Sequence, residues 1–270
     1  MIKLVTIDLD GTLFDDKKNI SIENINAIKK ARENGTYIVI ATGRPLNGVI
    51  NTLNTLGLNT IDDYVICYNG AKIFNVGTNE TIFSSTILGS DVKILYNEAI
   101  NNKLNYHAFN INDELLTIKH NPYTLVESTI NKIVDQEYDF TKTLDDDKFI
   151  KAMIVDSEEN INKITPIMKE KYQDKYSVVR SSKIFLEFLN KKTNKGLALL
   201  ELKKYLNIKD DETMAIGDAD NDIPMIKCAH IGVAMENAFK EVFTYANFIT
   251  KSNEESGVAY AINKYINDVK

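Results

Sequence analysis

The sequence predicts an α/β protein, a doubly wound parallel-sheet core with an inserted α+β cap domain. Three observations predict it. Near the start and again after Thr193, short apolar segments alternate with helical ones across short loops, the pattern of a parallel sheet with crossover helices. Between these stretches the pattern changes to paired strands mixed with helices, as in an α+β domain of its own. The most acidic and hydroxyl-rich clusters then fall at predicted strand ends from both halves of the chain, where ligands of open α/β sheets bind.

In chain order, Lys3 to Asp8 reads as a buried strand, because Leu4, Val5 and Ile7 are apolar and a glycine turn follows. Ser21 is placed to cap a helix running to about Asn34, with Ile22, Ile25 and Ile28 as its apolar stripe and Gly35 ending it. Tyr37-Ile38-Val39-Ile40-Ala41 is the second strand, and a helical stretch ends near Gly57. Tyr64 to Tyr68 is the third strand and runs into Asn69-Gly70, a strong turn dipeptide. In the middle we expect a helix after Ser90 and two strands joined by the turn Asn110 to Asp113. A helix after Pro122, a strand Phe149 to Val155 and a helix opening at Ser157 follow, then strand-like segments Ser177 to Arg180 and Ile184 to Phe188. The alternation resumes with helix Asn194 to Leu206, strand Thr213 to Ile216, a short helix and strand Ile231 to Ala234. A strand near Phe248 and a terminal helix complete it. The expected division is a catalytic core from 1–82 and 188–270, with a substrate-specificity cap at 83–187.

Bulk properties narrow the function. A net charge of −6 and a pI near 5.3 argue against a nucleic-acid or anionic-membrane surface. No apolar run approaches the roughly 20 residues of a membrane helix, and the first residues lack a signal peptide's layout. Two cysteines make no disulfide framework for 270 residues, so a cytoplasmic setting is expected. Cys67 and Cys228 read as small core residues.

Asp8 and Asp10, two apart in an extended segment, point to the same side. Two facing carboxylates repel unless one is protonated or a cation lies between them. Mg2+ suits that place, since it takes oxygen ligands from one or two carboxylates and a substrate phosphate. A third carboxylate, Asp218, would complete the site. Any one such aspartate alone is as readily a turn former or helix cap; three oxygen-rich clusters at three strand ends favour chemistry. An EF-hand in Asp218 to Asp222 fails, because Ile223 stands where that loop needs Gly and Ala229 where it needs Glu. No G-x-x-x-x-G-K or G-x-G-x-x-G run is present.

Asp8-Leu9-Asp10-Gly11-Thr12-Leu13, Thr42-Gly43-Arg44, Lys195-Gly196 and Gly217-Asp218-Ala219-Asp220-Asn221-Asp222 resemble the four motifs of the haloacid dehalogenase superfamily. Their order and spacing are most similar to its Cof-type phosphatases, and Asn69-Gly70-Ala71 and Asn221-Asp222-Ile223-Pro224-Met225 add to the likeness. The resemblance spans the chain and implies roles. Asp8 would be the nucleophile that forms an aspartyl-phosphate, and Asp10 the general acid and base. Asp8, the carbonyl of Asp10, and Asp218 would hold Mg2+. Thr42, Gly43, Lys195 and Asn221 would bind the phosphoryl group, and Asp222 would orient Lys195 or a metal-bound water.

Arg44 either reaches substrate or pairs with an acidic neighbour. Lys191 and Lys192 lie close to Lys195, but only Lys195 precedes a glycine and a helix as in the family. Thr12 reads as closing the turn after Gly11. His107, His120 and His230 lack metal-ligand spacing and read as structural or solvated. Asp145 to Asp147 is a solvated loop. Tyr106 to Phe109 and Ser181-Ser182-Lys183 are the cap segments to examine for specificity. The expected function is a Mg2+-dependent phosphatase of small phosphorylated metabolites such as sugar phosphates, with no nucleic-acid or membrane partner. A sugar phosphomutase shares the same motifs. A receiver-like binding module would share the acidic strand ends, but it needs no cap and is much shorter.

Overall fold

The computed structural model describes residues 1–268, and the chain divides into two compact units. The first comprises Met1–Phe83 and Asn194–Lys270, the second Ser84–Thr193. The return to the first unit falls after residue 193 rather than 187, because strand Phe185–Asn190 pairs with Lys148–Val155 through Ala152 opposite Phe188.

The first unit is organised by an eight-stranded sheet. Its order is Phe248–Ile249, Ile231–Ala234, Thr213–Gly217, Leu4–Ile7, Tyr37–Ala41, Tyr64–Cys67, Lys72–Asn75 and Thr81–Ser84. The first six run parallel. Lys72–Asn75 pairs antiparallel with Tyr64–Cys67, so the sheet is mixed, a feature that the strand–helix alternation did not announce. Leu4–Ile7 is central, with Ile7 opposite both Ile40 and Ile216. That register aligns the carboxyl ends of three strands and sets Asp8, Thr42 and Asp218 along one edge. All four residues of Leu4–Ile7 are buried, as a strand covered on both faces requires.

The helix Ile22–Glu33 starts where Ser21 accepts the Asn24 amide at 3.2 Å, as its sequence predicts. Its buried face differs from the expected stripe. Asn24, Ala27, Ile28 and Ala31 are buried while Ile22 is exposed. Asn24 earns its place by accepting the Ala259 amide at 2.8 Å, which ties this helix to Gly257–Ile262. A polar residue on the inner face hides that stripe from hydrophobic periodicity.

The second unit has its own sheet, ordered Tyr176–Ser182, Phe185–Asn190, Lys148–Val155, Asn105–Asn110, Leu115–Thr117 and Asp135–Glu137. The short last strand was not foreseen, since Asp135-Gln136-Glu137 has no apolar residue; it runs parallel to Leu115–Thr117 after the helix Pro122–Asn131. Tyr106, Ala108, Ala152, Ile154, Leu186 and Phe188 join one buried cluster with residues of helices Gly89–Asn101 and Glu158–Tyr172. Among the expected specificity segments, Tyr106 is therefore core, its hydroxyl donating to the Val92 carbonyl at 3.0 Å. His107 alternates to the other face, fully buried, with Nδ1 3.0 Å from Thr124 Oγ1 and Nε2 3.1 Å from Met153 Sδ. Nearby, the buried Lys151 ammonium lies 3.4 Å from Glu127 and 3.2 Å from Glu187. Cys67 is buried as expected, but Cys228 is exposed at the end of a short helix. No helix among the described residues is long and apolar enough to cross a membrane.

Burial, with the Lys151 charge second, pulls the His107 imidazole down to about 3. The unfolded chain binds a proton at this position below the ordinary value near 6.5, whereas the folded chain refuses it until far lower pH. His107 therefore removes stability as pH falls through the intervening range, by about 1.4 kcal/mol per pH unit. Urea unfolding of the second unit from about pH 7 to about pH 5 will show this slope, and His107→Gln will flatten it. Equal slopes in the two proteins would clear His107 as the cause.

Candidate active site

The site is assembled by the parallel register and by one buried lysine. Asp8 leaves strand Leu4–Ile7 with its amide donating to the Ile216 carbonyl at 3.0 Å, so its backbone is held as a continuation of the sheet. Asn194 caps the helix Lys195–Tyr205 by accepting the Leu197 amide at 2.8 Å, which puts Lys195 in the first helical turn. The Lys195 side chain is fully buried. Its Nζ lies 2.5 Å from Asp8 Oδ1 and 2.7 Å from Asp222 Oδ1. Lys191, by contrast, is exposed in the second unit and donates to the Gln173 carbonyl.

Asp218 completes the acidic cluster. One carboxylate oxygen from each of Asp8, Asp218 and Asp222 lies within 4.8 Å of the others. Asp222 is already committed: Oδ1 takes Lys195, while Oδ2 accepts the Asp218 and Ala219 amides, each at 3.0 Å. Both its oxygens are spent on shaping the loop and holding the lysine, which leaves Asp8 and Asp218 as the better-placed cation ligands. Burial, together with the charge of Asp222, pushes the Asp8 carboxyl upward against the opposing pull of Lys195. Burial also lifts Asp218 to about 6, although the Thr12 hydroxyl bond works the other way. Three carboxylates against one ammonium are under-neutralised, and a hard divalent cation with oxygen preference fits that donor set.

Thr12 has a larger part than closing its turn. Its hydroxyl donates to Asp218 Oδ1 at 2.6 Å, linking the first acidic cluster to the last. Gly11 sits between them with φ +95°, and a Cβ there would come 2.5 Å from Asp218 Oδ2. Only glycine meets both the backbone conformation and the close approach.

Asp10 stands apart from the other carboxylates. Arg44 holds it in a two-point grip, Nη2 to Oδ1 at 2.7 Å and Nε to Oδ2 at 3.1 Å, and Lys18 Nζ adds a contact at 2.9 Å. Burial raises the Asp10 carboxyl, but the hydrogen bonds and charges of Arg44 and Lys18 outweigh it, so Asp10 titrates below the usual range. Of the two sequence-level options for Arg44, the structure displays pairing with an acidic neighbour. Its guanidinium also lies over the Phe14 ring, 5.7 Å from the centroid. Lys18 is a residue that the sequence analysis did not single out.

Thr42 is buried, its amide donating to the Ile66 carbonyl at 2.9 Å and its Oγ1 accepting the Arg44 amide at 3.2 Å. With that lone pair used, the hydroxyl hydrogen is left to donate. Asn221 is half-buried and donates from Nδ2 to Asn69 Oδ1 at 3.1 Å. Every residue singled out in the sequence for chemistry thus belongs to the first unit, around the carboxyl ends of its parallel strands.

Comparison with known proteins matches this arrangement to a family. The sequence profile described as haloacid dehalogenase-like hydrolase matches residues 5–262. YxeH of Bacillus subtilis (strain 168), named as a phosphatase, is 37% identical over 98% of this chain and 99% of its own length. A haloacid dehalogenase-like hydrolase from Bacteroides thetaiotaomicron superposes with a TM-score of 0.86 at 34% identity, over 98% of this chain and 99% of that one. The subclass IIB sugar phosphatase BT4131 superposes with a TM-score of 0.79 at 27% identity, over 97% and 98% of the two chains. The chain belongs to the haloacid dehalogenase-like hydrolases of the Cof type and is a phosphoric monoester hydrolase.

Proposed function

We propose that this protein is a Mg2+-dependent phosphatase of small phosphorylated metabolites, sugar phosphates foremost, acting through an aspartyl-phosphate at Asp8. The observation that carries this reading is the buried Lys195 ammonium between Asp8 and Asp222, with Asp218 alongside. It sets a carboxylate nucleophile beside a fixed positive charge, the pairing that phosphoryl transfer needs. The sugar class rests on the likeness to a sugar phosphatase.

In the first step an Asp8 carboxylate oxygen attacks phosphorus, and the bond from phosphorus to the leaving oxygen breaks. Asp10 protonates that oxygen. In the second step water attacks the aspartyl-phosphate, Asp10 takes its proton, and inorganic phosphate departs with Asp8 restored. Thr42 and the Gly43 amide donate to the phosphoryl oxygens, Asn221 adds its carboxamide, and Lys195 balances their charge. Asp8, Asp218 and the Asp10 carbonyl would hold Mg2+, which when bound neutralises the transferring group and lowers repulsion toward Asp8. Arg44 and Lys18 keep Asp10 ionised, the form that accepts a proton from water. A substrate phosphate competes for the same two cations and frees Asp10 to act as the acid. Because the phosphoryl-handling residues all lie in the first unit, substrate selection is assigned to Ser84–Thr193.

Steady-state assays with p-nitrophenyl phosphate and a panel of sugar phosphates will show release of free phosphate, lost on chelation of Mg2+. Asp8→Asn will lower kcat by at least about 10³-fold. Full activity in that variant, or isomerised sugar phosphate in place of free phosphate, would overturn the proposal. The Arg44 grip makes a separate prediction. Removing the guanidinium in Arg44→Ala lets the Asp10 carboxyl rise toward its ordinary value, so its protonated form persists to higher pH. Carboxyl NMR of Asp10 reads this directly; an unmoved midpoint would mean that Arg44 does not tune it.

A further inference from the structure

Residues Tyr68, Asn69 and Gly70 follow strand Tyr64–Cys67 with three successive positive φ angles, +53°, +55° and +97°. Left-handed backbone at a non-glycine residue is costly and persists only where the surroundings over-determine it. Here they do. The Tyr68 amide donates to the Arg44 carbonyl at 3.1 Å, and the Asn69 amide to the Thr42 carbonyl at 2.9 Å. Gly70 lies so close to the chain before Lys195 that a Cβ would come 2.2 Å from the Asn194 carbonyl oxygen. This three-residue bend is thus wedged between the Thr42-Gly43-Arg44 loop and the start of the Lys195 helix.

The bend aims one side chain. Asn69 is 8% exposed, and its Oδ1 accepts the Asn221 Nδ2 hydrogen bond. The same carboxamide faces Gly43, where an added Cβ would meet Asn69 Nδ2 at 3.2 Å and Oδ1 at 3.3 Å. Asn69 therefore bonds two of the residues read above as phosphate ligands, Thr42 through its amide and Asn221 through its side chain, which lie far apart in the chain.

We propose that Asn69 is a positioning residue of the phosphoryl site, holding the Asn221 carboxamide and the Thr42-Gly43 loop in one fixed arrangement so that they bind phosphate as a unit. The proposal deepens the phosphatase reading and rests on it. Asn69 does not touch the reacting atoms; it fixes which way Asn221 faces, by taking one of its two amide hydrogens and leaving the other for the ligand. An asparagine suits the place because it tolerates left-handed backbone and offers an acceptor at short reach.

The test separates the side chain from the bend. Asn69→Gly keeps the left-handed backbone while deleting the carboxamide, so the thermal midpoint should hold. Orthovanadate and inorganic phosphate should inhibit about tenfold more weakly, with KM for p-nitrophenyl phosphate rising in step and kcat changing less. In a double-mutant cycle, Asn69→Gly should cost less in the Asn221→Ala background than in the wild type, because no carboxamide remains there to be aimed. Asn69→Asp retains both the acceptor and the bend but adds a negative charge beside Gly43, and should weaken vanadate more than Asn69→Gly does. Unchanged vanadate inhibition in either variant, or additive losses in the cycle, would overturn the proposal while the wild type still turned over. A wild type that releases no phosphate and binds no vanadate would overturn the parent reading, and this one with it.

Discussion

One ammonium organises the catalytic half of this protein. Lys195 is fully buried, and the direct contacts of Asp8 and Asp222 keep it a cation. An uncompensated charge in such a place would cost several kcal/mol. The three residues come from three separate segments, so the ion cluster demands that strand Leu4–Ile7, helix Lys195–Tyr205 and the loop after Thr213–Gly217 meet in one geometry. Asp222 extends the demand by accepting the Asp218 and Ala219 amides, which makes the acidic loop as rigid as the lysine it holds. The charge balance is left short: three carboxylates face one ammonium, a donor set that suits a hard cation.

Around that cluster the supporting contacts share one logic. Groups belonging to the beginning of the chain are fixed by groups from its last quarter. Thr12 donates to Asp218, Asn237 donates to the Gly11 carbonyl at 2.8 Å, and Asn253 donates to the Phe14 carbonyl at 3.1 Å. The segment that carries Asp8 and Asp10 is thereby tied down by these hydrogen bonds in addition to the burial of Leu9 and Leu13. Asp10 alone keeps a softer hold, through two side-chain cations that a phosphate monoester would also attract. A buried carboxylate at Asp8 and a more exposed one at Asp10 are thus built from the same five-residue run.

Much of this was legible in the sequence, and the reason is physical. Strand ends in a parallel sheet converge, so the clusters of Asp8, Thr42 and Asp218 could be brought together from alternation, while Lys195 was picked out among close lysines by the resemblance to the family, in which a glycine and a helix follow the lysine. What escaped detection was chemistry whose signal lies outside local pattern. Asn24 faces inward to meet a backbone amide 235 residues away, and an apolar stripe cannot reveal it. Asp135–Glu137 is a strand because a crossover helix delivers it to the sheet edge, not because its residues favour one. Arg44 and Lys18 converge on Asp10 from positions 34 and 8 residues away, a pairing that only the folded loop defines. Asn69-Gly70 read as a hairpin turn, and so it is; its second service to Asn221 depends on a partner 152 residues distant.

The central place of Leu4–Ile7 has a consequence for biosynthesis. One edge of that strand is satisfied once Tyr37–Ala41 follows it from the ribosome, but the other awaits Thr213–Gly217. At about 5–20 residues per second, the intervening chain takes on the order of ten to thirty seconds to make. Throughout that interval a strand of Leu-Val-Thr-Ile presents unpaired amides and carbonyls beside apolar side chains, the kind of edge that nucleates association between nascent chains. The second unit, contiguous in sequence, has no such wait. Vectorial synthesis therefore leaves the long-exposed edge on the first strand rather than in the inserted unit.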